Sequence, residues 1–219
     1  MIISFANQKG GVGKSTLCGM FANYLAKRGI NVLVVDIDRQ RTLYSQRKSD
    51  RGAFTDQEEL YNIEEFDLEN KKNSETLVSQ IKSINGVILL DTPGSITEDG
   101  LIPIFANSDY IICPYLYEKK VLDSTGVFIQ VIMALKSRIK EMDPTIFYIP
   151  NQVDKRVGTK EELFAFSETD KVFEKFGIVT PSIPNKVALK RSNTYVLTPP
   201  QEEAVMECFD FIIDKIGII

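Results

Sequence analysis

Residues 9 to 16 read Lys-Gly-Gly-Val-Gly-Lys-Ser-Thr, which fits the core of a phosphate-binding loop. The usual pattern is G-x-x-x-x-G-K-[ST], and here Gln8 stands in place of its first glycine. Three glycines remain, and they let backbone N–H groups turn toward an anion: Gly10, Gly11 and Gly13. In such a loop Lys14 reaches the β- and γ-phosphates, and the Ser15 hydroxyl contacts a magnesium ion.

The sequence around this loop predicts the strand and the helix that a phosphate-binding loop needs. Residues 2–6 form an apolar run before it, and a helix with one apolar face is predicted over 15–27. This order aims the free N–H groups at the start of the helix toward the phosphate. We therefore predict a nucleoside triphosphate site formed by Lys9, Gly10, Gly11, Val12, Gly13, Lys14, Ser15 and Thr16.

A second lysine, Lys9, lies at the mouth of the loop. The arrangement K-G-G-x-G-K-[ST] resembles the deviant Walker A loop of the ParA/MinD family of ATPases. The resemblance implies that Lys9 reaches across a dimer interface to the phosphates bound by a second copy, where it neutralises charge in the transition state. The alternative interpretation is a solvated lysine.

Composition limits the remaining possibilities. The 219 residues, 43% of them hydrophobic, suffice for the core of one domain over 1–219. The net charge of −4 and pI of about 5.1 exclude whole-molecule attraction to nucleic acid or anionic membrane, so DNA contact needs a local patch. Three scattered cysteines and the lack of histidine argue against a disulfide framework, a cysteine metal cluster and histidine chemistry. No signal peptide or membrane-spanning run is recognisable, so we expect a cytoplasmic protein.

Short apolar runs alternate with helical patterns along the chain. Further strands are predicted at 32–35, 87–90, 110–113, 146–149 and 178–183. Helices are predicted near 15–27, 74–84, 121–140, 161–176 and 200–216, whereas the polar residues 39–73 indicate only a short helix at 42–50 and a strand near 60–66. Continuously apolar strands are typical of a parallel sheet covered on both faces. We predict a doubly wound α/β fold with a mostly parallel sheet, whose ligand lies beyond the carboxyl ends of the strands.

Three aspartates follow predicted strands. Asp91 closes Val-Ile-Leu-Leu-Asp and has the form of a Walker B acid that holds magnesium through a water molecule. Asp36 and Asp38 match the D-x-D pattern of the family's first switch segment. This match implies that Asp38 orients the attacking water and that Asp36 lies nearer the metal and Ser15. The family usually continues with Pro-Gln, whereas this chain has Arg39-Gln40. Capping of turns is the alternative role for each aspartate.

The predicted base contacts come from two later segments. Residues 151–154, Asn-Gln-Val-Asp, have the form of the N-K-x-D guanine motif, but Gln152 replaces its lysine. ParA-like chains place an Asn or Thr and a nearby Asp here while using ATP, so the resemblance favours adenine over guanine. Residues 183–188 resemble the family segment whose backbone lies beside the base. Asn151 and Pro184 are therefore the expected base contacts.

A basic cluster follows the last predicted strand and consists of Lys186, Lys190 and Arg191. Related partition ATPases hold DNA with basic residues in this part of the chain, and phosphate contacts need only cationic donors. The alternative is a solvated loop. Three further cations either extend the patch or solvate another loop: Lys155, Arg156 and Lys160. Residues 209–216 carry two acids and one lysine, so this segment is predicted to pack in the core and not on a membrane.

The resemblance covers nearly the whole chain and implies a small ParA-type ATPase with Lys9, Lys14 and Asp38 as catalytic residues. Magnesium would be held by Ser15, Asp36 and Asp91. ATP with Mg²⁺ would form a sandwich homodimer that binds DNA non-specifically and associates with the nucleoid. A ParB-like centromere-binding partner would stimulate hydrolysis and release a plasmid, chromosome region or mobile element as cargo. Two alternatives stay open: a MinD-like positioning ATPase for a protein complex, and a metabolic or maturation NTPase of the same fold.

Overall fold

The computed structural model describes residues 1–68, 70–95, 100–154 and 158–218. Its strands are β1 (Ile2–Phe5), β2 (Val32–Asp36), β3 (Asn62–Glu65), β4 (Val87–Asp91), β5 (Tyr110–Tyr115), β6 (Thr145–Pro150) and β7 (Ile178–Val179). Its α-helices are α1 (Lys14–Ala26), α2 (Thr42–Ala53), α3 (Lys71–Lys82), α4 (Leu101–Ala106), α5 (Lys119–Arg138), α6 (Lys160–Phe173) and α7 (Pro199–Ile216). A 3₁₀ helix, Val187–Arg191, lies between β7 and α7.

The strands form one sheet in the order β3-β2-β4-β1-β5-β6-β7, and each adjacent pair runs parallel. The chain starts at the centre with β1, builds one side of the sheet with β2, β3 and β4, and then builds the other with β5 to β7. This doubly wound arrangement confirms the predicted fold class, in which loops after the strands form a crevice at one edge.

Apolar side chains cover both faces of the sheet. Alternate residues of a strand point to opposite faces, so Ile3 of β1 enters one core layer while Ile2 enters the other. The first layer packs against α1, α2 and α7. The second packs against α3, α4, α5 and Phe173 of α6.

Two sequence predictions about secondary structure were wrong. The strand predicted over 178–183 is regular only at Ile178–Val179, because Pro181 has no N–H group for the ladder. Two single hydrogen bonds to β6 continue beyond it, from the Thr180 amide to the Tyr148 carbonyl at 3.0 Å and from the Ile183 amide to the Pro150 carbonyl at 2.8 Å. Beyond it, a single parallel bridge joins Val153 to Pro184. The helix Leu101–Ala106 was not predicted, since its 6 residues are too few for a helical repeat to be visible.

The polar residues 39–73 contain the longer helix α2 and the edge strand β3, and a buried arginine organises them. Arg47 donates to Glu59 Oε2 at 2.9 Å and to the Tyr61 carbonyl at 2.8 Å. It also donates to the hydroxyl and the carbonyl of Thr194, both at 2.9 Å. The rings of Tyr61 and Tyr195 lie 4.6 and 5.0 Å from its guanidinium carbon. One side chain of α2 thereby joins the segment before β3 to the distant residues Thr194 and Tyr195.

Neighbouring contacts support the same junction. Asp50 accepts hydrogen bonds from the amide and hydroxyl of Thr194, at 2.7 and 2.9 Å. Hydrogen bonds from Arg51, Tyr195 and Arg47 lower the pKa of Glu59 to about 2, against the opposing effect of burial. The Glu59 carboxylate therefore stays ionised and paired throughout the neutral range.

No helix in the described parts of the chain is long and apolar enough to span a bilayer.

Candidate nucleotide-binding site

The ends of three central strands place the predicted site residues side by side. In the register of the sheet Asp91 lies opposite Asp36 on one side and opposite Phe5 on the other. The loop predicted to bind phosphate follows Phe5 directly and leads into α1. The carboxyl ends of β1, β2 and β4 thus bring this loop and both acidic segments to one crevice.

The loop has the backbone shape that an anion cradle requires. Gly11 and Gly13 adopt positive φ angles of 81° and 100°, which residues other than glycine rarely adopt. A Cβ at Gly13 would also lie 2.4 Å from the Asn151 amide nitrogen. Gly13 is the N-cap of α1 and makes no side-chain capping bond, so the first N–H groups of this helix stay available for phosphate.

Asn151 anchors this loop from the end of β6. Its buried amide donates to the Val12 carbonyl at 2.8 Å, and its oxygen accepts from the Gln152 amide at 2.9 Å. The predicted base contact therefore has a structural task as well, which is to hold the phosphate loop in shape.

Lys14 is buried at the centre of the loop. Its Nζ donates to the Lys9 carbonyl at 3.3 Å. Burial lowers the pKa of Lys14, while the charges of Asp91 and Asp38 act in the opposite direction. A phosphate in the loop would supply a strong acceptor and the negative charge that this desolvated ammonium group needs.

Asp91 provides the best-fitting oxygens for a cation. Both carboxylate oxygens are buried and, within the described residues, have no hydrogen-bond partner beyond the nearby Ser15 hydroxyl. Burial raises the pKa of Asp91 to about 8, Asp36 adds to the rise, and the neighbouring Ser15 hydroxyl and Lys14 ammonium oppose it. A divalent cation between Asp91, Ser15 and the nucleotide would balance the negative charge of this buried carboxylate, and these oxygen ligands suit Mg²⁺.

The oxygens of Asp36 are engaged by the backbone. One accepts from the Asp38 amide at 3.3 Å and the other from the Tyr44 amide at 3.0 Å. Burial raises the pKa of Asp36, and these backbone donors oppose the rise. Asp36 thus ties the start of α2 to β2, and its predicted place near the metal stays a prediction.

Asp38 lies in a cleft of about 500 Å³ in front of the loop. The cleft is lined by the phosphate loop, by Asp38, Arg39 and Gln40, by residues 93–95 and by Gln152. Lys14 lines the same cleft, so the structure brings two of the three predicted catalytic residues, Lys14 and Asp38, together. Lys9 is exposed at the mouth of the loop, where its amide donates to Asn7 Oδ1 at 3.0 Å.

A smaller cavity of about 90 Å³ adjoins the loop on the side away from the acids. Its lining includes the predicted base contacts Asn151 and Pro184, and also Lys186 and Lys190 of the basic cluster. Asp154, which would read guanine in an N-x-x-D site, lines an adjoining cavity together with Tyr117. The two cavities share Asn151, Gln152 and Asn185, so the preference for adenine over guanine stays a prediction.

Gln152 was missed as a site residue. It adopts a positive φ of 54° and lines the phosphate cleft as well as the base cavity. The motif at 151–154 offered no signal, because Gln152 replaces the lysine that usually defines this position. Arg191 and Lys160 are exposed at the end of the 3₁₀ helix and the start of α6, while Lys155 and Arg156 lie outside the described residues.

A loop of this shape between a central strand and a helix, with Lys14 and Asp91 in one crevice, defines a P-loop nucleotide-binding protein. Residues 3–195 match the family model of the CobQ/CobB/MinD/ParA nucleotide binding domain, and the chain belongs to this family. The family expected from the loop sequence is therefore confirmed.

Individual curated relatives match this chain over short stretches only. It is 46% identical over 54 residues to the chromosome-partitioning ATPase Soj of Thermus thermophilus, a match that covers 24% of this chain and 22% of Soj. The matched stretches span only 17% to 22% of the curated relatives' lengths.

Two solved structures share the fold along nearly the whole chain. An ATP complex of McdA from Cyanothece has a TM-score of 0.76 at 15% identity and covers 100% of this chain and 96% of that chain. A plasmid partition protein from Borrelia burgdorferi has a TM-score of 0.69 at 17% identity, with 98% of both chains covered.

Proposed function

We propose that this chain is a ParA-type ATPase of DNA partition, whose ATP-bound form is a sandwich homodimer on DNA. The observation that carries the ATPase part is the meeting of Lys14, Asp38 and the buried carboxylate of Asp91 at one crevice. The similarity to Soj and to a partition protein supports the DNA partition part.

Each side chain has one task in the proposed hydrolysis. Lys14 and the loop N–H groups hold the β- and γ-phosphates, while Asp38 orients a water molecule for attack on the γ-phosphorus. Ser15 and Asp91 would hold Mg²⁺, which when bound neutralises charge on the phosphate oxygens. The bond to the β-phosphate oxygen breaks, and ADP and phosphate leave.

Lys9 acts between copies in this proposal. It is exposed at the mouth of the loop, so a second molecule facing the cleft can receive it. Its cation then reduces the negative charge that develops on the partner's phosphates during hydrolysis. A ParB-like adaptor would stimulate this step, and loss of the dimer would release DNA.

DNA contact is assigned to Lys186, Lys190 and Arg191, all of which are exposed. Because the chain carries a net charge of −4, one small basic cluster binds DNA weakly. Dimerisation doubles the cluster and lets several phosphates be engaged at once. The ATP-bound form would therefore associate with the nucleoid in the cytoplasm, and the ADP form would not.

Lys14→Ala is expected to abolish measurable ATP binding. The loop would keep its N–H groups but lose the buried cation aimed at the phosphates, a contact worth about 1.5–3 kcal/mol or more. Isothermal titration calorimetry with ATP and magnesium measures the affinity. The matched control is Lys27→Ala, which removes an exposed lysine paired with Glu202 at 2.6 Å. Equal ATP affinity in Lys14→Ala and the wild type would show that the phosphate site lies elsewhere.

DNA retention is the experiment that tests the partition proposal. The wild-type chain should hold DNA of any sequence only with ATP, and its affinity should fall steeply with salt, since each phosphate contact adds about −0.9 to the logarithmic slope. Replacing Lys190 and Arg191 together by Glu should remove binding. ATP affinity is measured in parallel, because Lys190 also lines the base cavity.

The matched control replaces Lys71 and Lys72 by Glu, which makes the same charge change at exposed positions of α3 on the other face of the sheet. This variant should keep DNA binding. If the wild-type dimer shows no DNA retention at low salt, the positioning of a protein complex becomes the better proposal.

A further inference from the structure

The turn that carries Asp38 is closed by two local hydrogen bonds. The Arg41 amide donates to the Asp38 carbonyl at 2.9 Å. The Gln40 amide donates to Asp38 Oδ1, also at 2.9 Å. The position of the Asp38 carboxylate in the phosphate cleft therefore depends on the shape of residues 38–41.

Arg41 gives this turn an unfavourable backbone conformation. Its φ and ψ are 48° and 46°, in the left-handed region, and it is the N-cap of α2 without a side-chain capping bond. Among the described residues only Arg41 and Gln152 combine a side chain with positive φ. A non-glycine residue stays in this region only where its surroundings hold it.

The surroundings that hold Arg41 are two carboxylates beside the edge strand. Its guanidinium hydrogen-bonds to Glu65 and, at 2.5 Å from Nη2 to Oδ1, to Asp67. Glu65 is the last residue of β3 and lies opposite Asp36 in the sheet register. A planar guanidinium that binds two carboxylates at once has far less freedom than a single ion pair. Arg41 thereby fastens the turn to the sheet beside β2.

We propose that Arg41 is a positioning residue for hydrolysis, and that Glu65 and Asp67 are the partners that hold it. This inference rests on the proposed ATPase function and on the role of Asp38 in it. The clip formed by Arg41, Glu65 and Asp67 keeps the Asp38–Arg41 turn closed, so that the carboxylate faces the water and the γ-phosphate. No proline stiffens these four residues, so the clip acts together with the two hydrogen bonds of the turn to hold their shape.

Steady-state ATPase kinetics test the clip. Arg41→Ala should lower kcat about 10- to 100-fold, because a small displacement of a catalytic group costs this much, while KM for ATP and the melting temperature change little. The double variant Glu65→Gln with Asp67→Asn should show the same loss. Adding Arg41→Ala to that double variant should cause no further loss, because the three residues act as one unit.

Two substitutions separate the clip from other effects. Arg41→Gly removes the free-energy cost of the left-handed backbone conformation, but it also removes the guanidinium. Its kcat should therefore be as low as that of Arg41→Ala. Arg51 lies on α2, the helix that Arg41 caps, and Arg51→Ala breaks its ion pair to Glu59; this variant should leave kcat unchanged. Wild-type kcat in either Arg41→Ala or Arg41→Gly would overturn the proposal.

Amide hydrogen exchange supplies a readout that needs no turnover. The Gln40 amide should exchange faster in Arg41→Ala than in the wild type, because its bond to Asp38 Oδ1 opens more often. Unchanged exchange would overturn the clip. A wild-type chain that hydrolyses no ATP, or an Asp38→Ala chain as fast as the wild type, would contradict the proposed function instead.

Discussion

Asp38→Ala is expected to lower ATP turnover by about 10²- to 10⁴-fold, the usual contribution of a group that positions or activates the attacking water. ATP affinity should stay close to the wild-type value, because Asp38 acts mainly in the transition state. The ATP-bound dimer should persist as a result. Single-turnover kinetics measure the chemical step, and light scattering follows the dimer.

The control for Asp38 is a carboxylate far from the cleft. Asp143→Ala removes an exposed side chain near the amino end of β6 that pairs with Lys136 at 2.8 Å, and turnover should not change. Loss of ATP binding in Asp38→Ala would make Asp38 a metal or structural residue. Unchanged turnover would remove it from the catalytic site.

Arg47→Met should destabilise the fold by about 3–5 kcal/mol, as expected when one partner of a buried ion pair is removed. Met keeps much of the volume, but the Tyr61 carbonyl and both groups of Thr194 lose their donors. For a chain of this size the melting temperature should fall by roughly 10 °C. Thermal unfolding of the nucleotide-free protein, followed by circular dichroism, measures the change.

Arg51 offers a matched control on the same helix, because it binds the same carboxylate. The Arg51 side chain is 60% exposed and that of Arg47 only 3%, while both donate to Glu59. Arg51→Met should therefore cost less than about 1 kcal/mol. Equal losses of stability in the two variants would contradict the view that burial of Arg47 dominates.

The phosphate loop was predictable from sequence because its action is local. Gly11 and Gly13 act through their backbone angles and Lys14 through its side chain. The apolar strand before them places all three at the carboxyl end of a sheet strand. The same reasoning placed Asp91 correctly at the end of a buried strand. Apolar periodicity also predicted the central strands and most helices.

Sequence reasoning was weaker where contacts join distant residues. The strand predicted over 178–183 was wrong in extent, since Pro181 interrupts it and leaves β7 with two residues. The helix α4 was too short to show a repeat. Asn151 was predicted as a base contact, but its bond to Val12 bridges 139 positions and could not be inferred from the motif.

By itself, the sequence determined the fold class, the nucleotide loop and the family, because short motifs and apolar runs act over a few neighbouring residues. Only the tertiary structure showed how the polar segment between β2 and α3 is held in the fold. These residues are mostly polar, and beside the few apolar side chains that enter the core they are held by ion pairs and hydrogen bonds that link Arg41 to Glu65 and Asp67, and Arg47 to Glu59 and Thr194. A charged side chain does not reveal its partner in sequence, because the partner is chosen by which segments the folded sheet brings together.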